Sequence, residues 1–112
     1  MSSIGKIMDL ASSVDYADGA VVSKTLLDKN AGTLTLFSFD TGQGLSEHTS
    51  PYDATIYILD GSAKIVIGGE INEVKAGSLV IMPATVPHSL RADERFKMLL
   101  IMIRETRKEN KK

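Results

Sequence analysis

Cysteine is absent from the 112 residues. That excludes disulfides, thiolate metal ligands and a cysteine nucleophile, and it leaves the redox compartment open. No apolar run approaches the roughly 18–20 residues that a membrane-crossing helix needs. Charge of one sign is also missing: the net charge is −1, so nothing global favours nucleic acid or an anionic membrane as a partner. Residues 1–14 have Lys6 and Asp9 among their apolar positions and no secretory apolar core, which makes the cytoplasm the default location. Phosphate loops and dinucleotide fingerprints are lacking, because Gly42-Gln43-Gly44 has no third glycine in register and no helical pattern behind it. No strand–helix alternation, internal repeat or low-complexity segment is present. Histidine is scarce, with two in the chain, His48 and His88.

What is there reads as one all-β domain. A hydrophobic share of 43% with 24% charged residues is that of a folded domain with a single core. Residues 4–14 place Ile4, Ile7, Met8, Ala11 and Val14 at helix-like spacing, but the stretch is short. It predicts at most a brief helical turn, beginning at Asp9 or Ser12, in an N-terminal arm over 1–19. Strand formers then cluster in short runs. Residues 20–27 and 33–40 form a hairpin pattern around Asp28-Lys29-Asn30-Ala31-Gly32. Residues 54–59 read as a strand, turned by Asp60-Gly61-Ser62. Residues 63–67 and 70–75 flank Gly68-Gly69, a two-residue hairpin signal. Residues 79–82 stop at Pro83, 89–91 follow Pro87-His88, and 96–103 form the most apolar run. About eight or nine strands with Gly, Pro and Asp turns every ten or so residues point to a sandwich or closed barrel over 20–103. Residues 104–112 carry five Lys/Arg against two Glu and read as a solvated, charged C-terminal tail.

Within the barrel, 42–61 and 77–92 stand out. Gly42 is followed by five residues and His48, and Gly61 closes the stretch. Gly77 is followed by five residues, Pro83, and then His88. This order resembles the two motifs of the cupins, G-x5-H-x-H-x3,4-E-x6-G and G-x5-P-x-G-x2-H-x3-N, separated by a short hairpin. The resemblance covers about residues 33–103 and implies a double-stranded β-helix, or jelly-roll barrel. In that family the histidines and the glutamate bind a metal inside the barrel. Here His48 and His88 fill the first and last ligand positions, while Ser50 stands for the second histidine and Ala54 for the glutamate. Thr85 replaces the motif-two glycine and Ala92 the terminal asparagine. A β-branched residue disfavours φ > 0, so the loop before His88 is expected to depart from the family's turn.

The resemblance therefore implies a ligand pocket of His48, Ser50, Tyr52, Ala54, Met82 and His88. His48 and His88 are the candidate ligands for a weakly held divalent transition metal (Zn, Ni, Cu, Mn or Fe). Glu47 and Asp53 have the wrong strand parity to join them unless a bulge re-aims one. Tyr57, Met98, Met102, Arg91 and Arg95 are weaker candidates, better read as packing or solvated surface. Ser46, Ser50 and Ser89 lie near histidines but have no third group to form a triad. The expected function is a barrel that binds a small molecule near the two histidines. The alternative is a metal-dependent cupin enzyme, an oxygenase, isomerase or decarboxylase. An interaction module is a third reading, and the family resemblance with the apolar arm implies a homodimer. No catalytic residue is assigned, and fold alone does not choose among chemistries.

Overall fold

The structure, a computed structural model, describes residues 3–104. Eight strands follow one another: β1 (Val21–Lys29), β2 (Gly32–Phe39), β3 (Gly44–His48), β4 (Ala54–Ile67), β5 (Glu70–Lys75), β6 (Leu79–Met82), β7 (His88–Arg91) and β8 (Phe96–Ile103). All pairings are antiparallel. One wall runs β1-β2-β8-β4-β6 and the other β3-β7-β4-β5. The long strand β4 belongs to both walls, so the sheet curls into the jelly-roll form that the motifs imply.

Residues 60–62 do not turn the chain, contrary to expectation. β4 runs through them because β8 keeps pairing alongside, from Ala54↔Met102 to Gly61↔Phe96. The register slips between Ile58 and Asp60. That extra residue reverses the strand's parity. Ala54, Ile56 and Ile58 face the core before it, and Ala63 and Ile65 after it; all five are at most 2% exposed. Gly61 is required at the passage, with φ +75° and the Arg95 carbonyl lying where a Cβ would stand.

The core lies between the walls. Phe39 stacks on Phe96 with centroids 4.5 Å apart, and Ile56, Ile58, Ile65 and Met98 pack with them. Alternation along β8 sends Phe96, Met98, Leu100 and Met102 inward. Residues 4–14 form turns rather than a helix. The Asp9 carboxylate accepts from the Ser12 amide at 3.2 Å and its hydroxyl at 2.7 Å, capping one turn that is not continued. The arm lies across the outside of the first wall. Val14 is buried there, the Ser38 hydroxyl donates to the Asp15 carbonyl at 2.7 Å, and Tyr16 donates to Asp60 at 2.6 Å. Burial first, then that bond to the Asp60 carboxylate, holds the Tyr16 phenol far above its ordinary range. Asp40 receives Arg95 Nε at 2.7 Å and the Gly19 amide at 2.6 Å. These bonds, the Arg95 guanidinium first, pull its carboxyl down to about 2. Arg104 donates to the Lys29 carbonyl at 2.9 Å, while the rest of the expected charged tail, 105–112, lies outside the described residues.

Candidate functional site

His48 ends β3 and His88 begins β7, and they are register partners. A bulge makes this so. Leu45 pairs with Leu90 and His48 with His88, so Ser46 and Glu47 together oppose Ser89 alone. Residues three apart on a regular strand face opposite sides. The extra residue turns His48 to the same side as Leu45, and both line the interior cavity. Glu47 is exposed and does not line that cavity. The imidazole rings meet edge to face, with centroids 4.4 Å apart and planes at 71°.

Each ring has its Nδ1 on the main chain. Nδ1 of His48 lies 2.7 Å from the Ser46 carbonyl oxygen, and Nδ1 of His88 lies 3.1 Å from that of Val86. A carbonyl can only accept, so each Nδ1 is the donor, and in the neutral form of either ring the lone pair is left on Nε2. Burial pushes His88 below its ordinary value of 6.5; the bond to the Val86 carbonyl opposes this, and the nearby His48 adds to it. His88 is 3% exposed, whereas His48 is exposed and stands at the cavity's mouth.

The cavity has a volume of about 120 Å³. The second wall supplies Leu45, His48, His88 and Leu90, and the first supplies Ala54, Ile56, Met82, Met98, Leu100 and Met102, with Ser50 at the rim. Five of the six pocket residues read from sequence meet here: His48, Ser50, Ala54, Met82 and His88. Tyr52 does not. The chain bends at Pro51 and Tyr52, and the Tyr52 amide donates to Ser50 Oγ at 3.2 Å. Tyr52 is thereby turned into a separate hollow of about 530 Å³, lined also by Asp53, Thr55, Ile81, Ala84 and Ile103, which holds neither histidine. Met98 and Met102, expected as packing, both line the cavity, and the two-residue spacing of Met98, Leu100 and Met102 on one strand face is the sequence signal for it.

The loop before His88 is held from two sides. Asp53 accepts the Ala84 amide at 2.8 Å, and the Ser50 carbonyl accepts the Thr85 amide at 2.8 Å. Thr85 sits at φ 68°, so the expected departure from a left-handed residue there does not occur. The two clamps over-determine the loop and hold Thr85 in a conformation that its β-branched side chain disfavours. Asp53 is therefore engaged with the loop rather than with the histidines. Arg95 is committed to Asp40 and Asp18, and Arg91 to Asp93.

A cupin-domain family profile matches residues 35–104, more than half of the chain. The chain belongs to the cupin family. Among solved structures it is similar to a conserved protein of unknown function from Streptococcus pyogenes. That pair is 38% identical with a TM-score of 0.86, over 92% of this chain and 90% of that one. A cupin 2 conserved barrel domain protein from Leptotrichia buccalis is 40% identical with a TM-score of 0.84, over 87% of this chain and 47% of that one. A cupin superfamily protein from Desulfitobacterium hafniense is 28% identical with a TM-score of 0.85, over 90% and 93%. No curated protein matches the chain.

Cupins often hold a metal at this place. The residues here do not fit the family's four-ligand site. Ser50 and Ala54 bring a hydroxyl and a methyl where an imidazole and a carboxylate belong. Among the described residues no group of three or more His, Cys, Asp or Glu side chains could hold an ion. Two imidazoles alone fall short of the three protein ligands usual at a catalytic zinc or of the iron triad. No helix among the described residues is long and apolar enough to cross a membrane.

Proposed function

We propose that this cupin is a binding barrel for a small, neutral, largely apolar molecule bearing one hydroxyl or similar hydrogen-bond donor. The observation that carries the reading is an apolar cavity of about 120 Å³ with two Nε2 lone pairs on one side. Pockets of this kind combine an apolar lining with a few placed polar groups. An engineered apolar cavity of about 150 Å³ holds benzene, so this smaller one, with exposed His48 at its mouth, takes at most a single small ring. Burial disfavours the charged form of His88, so its Nε2 suits accepting a hydrogen bond better than pairing with an anion. His48, at the mouth, gives a second acceptor.

The test compares phenol, benzene and benzoate by ligand-detected NMR. Phenol should bind best, and His88→Ala should remove its advantage over benzene. Filling the cavity with Ala54→Leu should abolish binding of both. Equal binding of phenol and benzoate to wild type, or an unaltered preference in His88→Ala, would overturn the reading. The proposal extends to a homodimer. It is supported by the outer face of the first wall, where Ile81 and Ile101 flank Thr55 in register and Ile81 is 57% exposed. A monomer mass by light scattering at micromolar concentration would remove that part.

A further inference from the structure

The cavity that lacks hard donors is rich in soft ones. Three of the chain's five methionines line it, Met82, Met98 and Met102. Their placement is not uniform. Met82 on β6 and Met102 on β8 are the two register partners of Ala54 on β4. The two thioethers therefore flank the position where the family's motif has its glutamate. Met98 pairs with Ile58, four residues along β4 and about 13 Å deeper. The Met102 sulfur already meets a polar group of the site, with the Ser50 hydroxyl directed at it at 3.9 Å. On the facing wall stand the two imidazoles, each with Nδ1–H fixed on a carbonyl and Nε2 free. Anchoring of the distal nitrogen is how metal-binding histidines are ordinarily oriented.

We propose that His48 and His88, through Nε2, and Met82 and Met102, through sulfur, form a site for Cu(I). Imidazole and thioether ligands without a carboxylate select a soft monovalent ion over Zn(II), Mn(II) or Fe(II). Neutral donors leave a single positive charge in a mostly apolar surround, which costs less desolvation than a divalent ion would. Methionine is unbranched and adaptable, so the sulfurs can close on an ion without moving the strands. The inference rests on the reading that both imidazoles face one cavity with Nε2 available. It is independent of the identity of any organic ligand.

The test uses untagged full-length protein and Cu(I) supplied without oxygen. Affinity is read by competition with a chromophoric Cu(I) chelator, and the ligand shell by X-ray absorption at the copper edge. One Cu(I) per chain is expected, with both nitrogen and sulfur neighbours and tighter binding than Zn(II). Met→Leu conserves volume and costs little in stability. Met82→Leu/Met102→Leu should weaken Cu(I) at least about tenfold, since a direct ligand matters no less than the outer-shell partners whose loss costs about 10–100-fold. Met98→Leu should have the smaller effect. A nitrogen-only shell, or an affinity unmoved by Met82→Leu/Met102→Leu, would overturn the copper site and leave the binding barrel standing. If His48→Ala and His88→Ala alter neither copper nor phenol binding while their melts stay cooperative, both readings fall. The loss of phenol binding alone removes only the organic ligand.

Discussion

Restoring the two missing ligands tests whether this barrel keeps the family's site geometry. Ser50→His with Ala54→Glu would set two more donors around the cavity that His48 and His88 line. Ala54 is 2% exposed, between Met82 and Met102, so a carboxylate there gives up its water. Burial of that degree raises a carboxyl's pKa by about 2–3 units, and each unit is worth about 1.4 kcal/mol. Without metal the double variant should therefore lose about 3–4 kcal/mol near neutral pH, or about 15 °C in melting temperature for a domain of this size. A divalent ion at about a thousand times its Kd returns about 4 kcal/mol. Circular dichroism melts with and without Ni(II), Zn(II) or Mn(II), with elemental analysis, read both effects. Wild type should respond weakly to these ions. A double variant that carries no metal, and melts at one temperature with or without it, would refute the claim that positions 50 and 54 converge with the histidines.

Three further outcomes follow from the same geometry. Gly61→Ala places a Cβ against the Arg95 carbonyl at φ +75° and should cost more than about 3 kcal/mol; an unchanged urea midpoint would contradict this. Thr85→Gly removes the strain of a β-branched residue at φ 68° and, against glycine's greater unfolded entropy, should stabilise by up to about 1 kcal/mol, measured by the same midpoint. His88 has a folded pKa pushed below its ordinary 6.5, so the unfolded chain binds its proton first. Its stabilising contribution is present above about 6.5 and is lost as the pH falls through the lower folded value. Urea midpoints taken from pH 7.5 to 5 should fall in wild type and fall less in His88→Gln, and parallel profiles would sink the argument.

Much of this protein was legible along the chain, and the misses share a cause. Runs of β-branched residues between Gly and Pro turns marked seven of the eight strands among the described residues. β3 escaped because Gly44-Leu45-Ser46-Glu47-His48 carries a single apolar residue, too few to show the alternation that announces a strand. Asp60-Gly61-Ser62 has turn composition, yet β8 pairs across it and the chain goes straight. Tyr52 has the right number but follows a bend at Pro51 that turns it outward. Thr85 argues locally against a left-handed residue, and bonds from Ser50 and Asp53 override it.

The sequence by itself determined the barrel class and the two motif stretches that carry His48 and His88. Local propensity and motif spacing are properties of the chain read in order. Tertiary structure alone decided which way side chains face, because one extra residue in a strand inverts every position beyond it. The bulge in β3 brings His48 inward. The slip in β4 lets one strand serve both walls. The cross-strand register of β6 and β8 sets two methionine sulfurs beside Ala54. Each depends on a partner strand distant in sequence, and no window along the chain contains it.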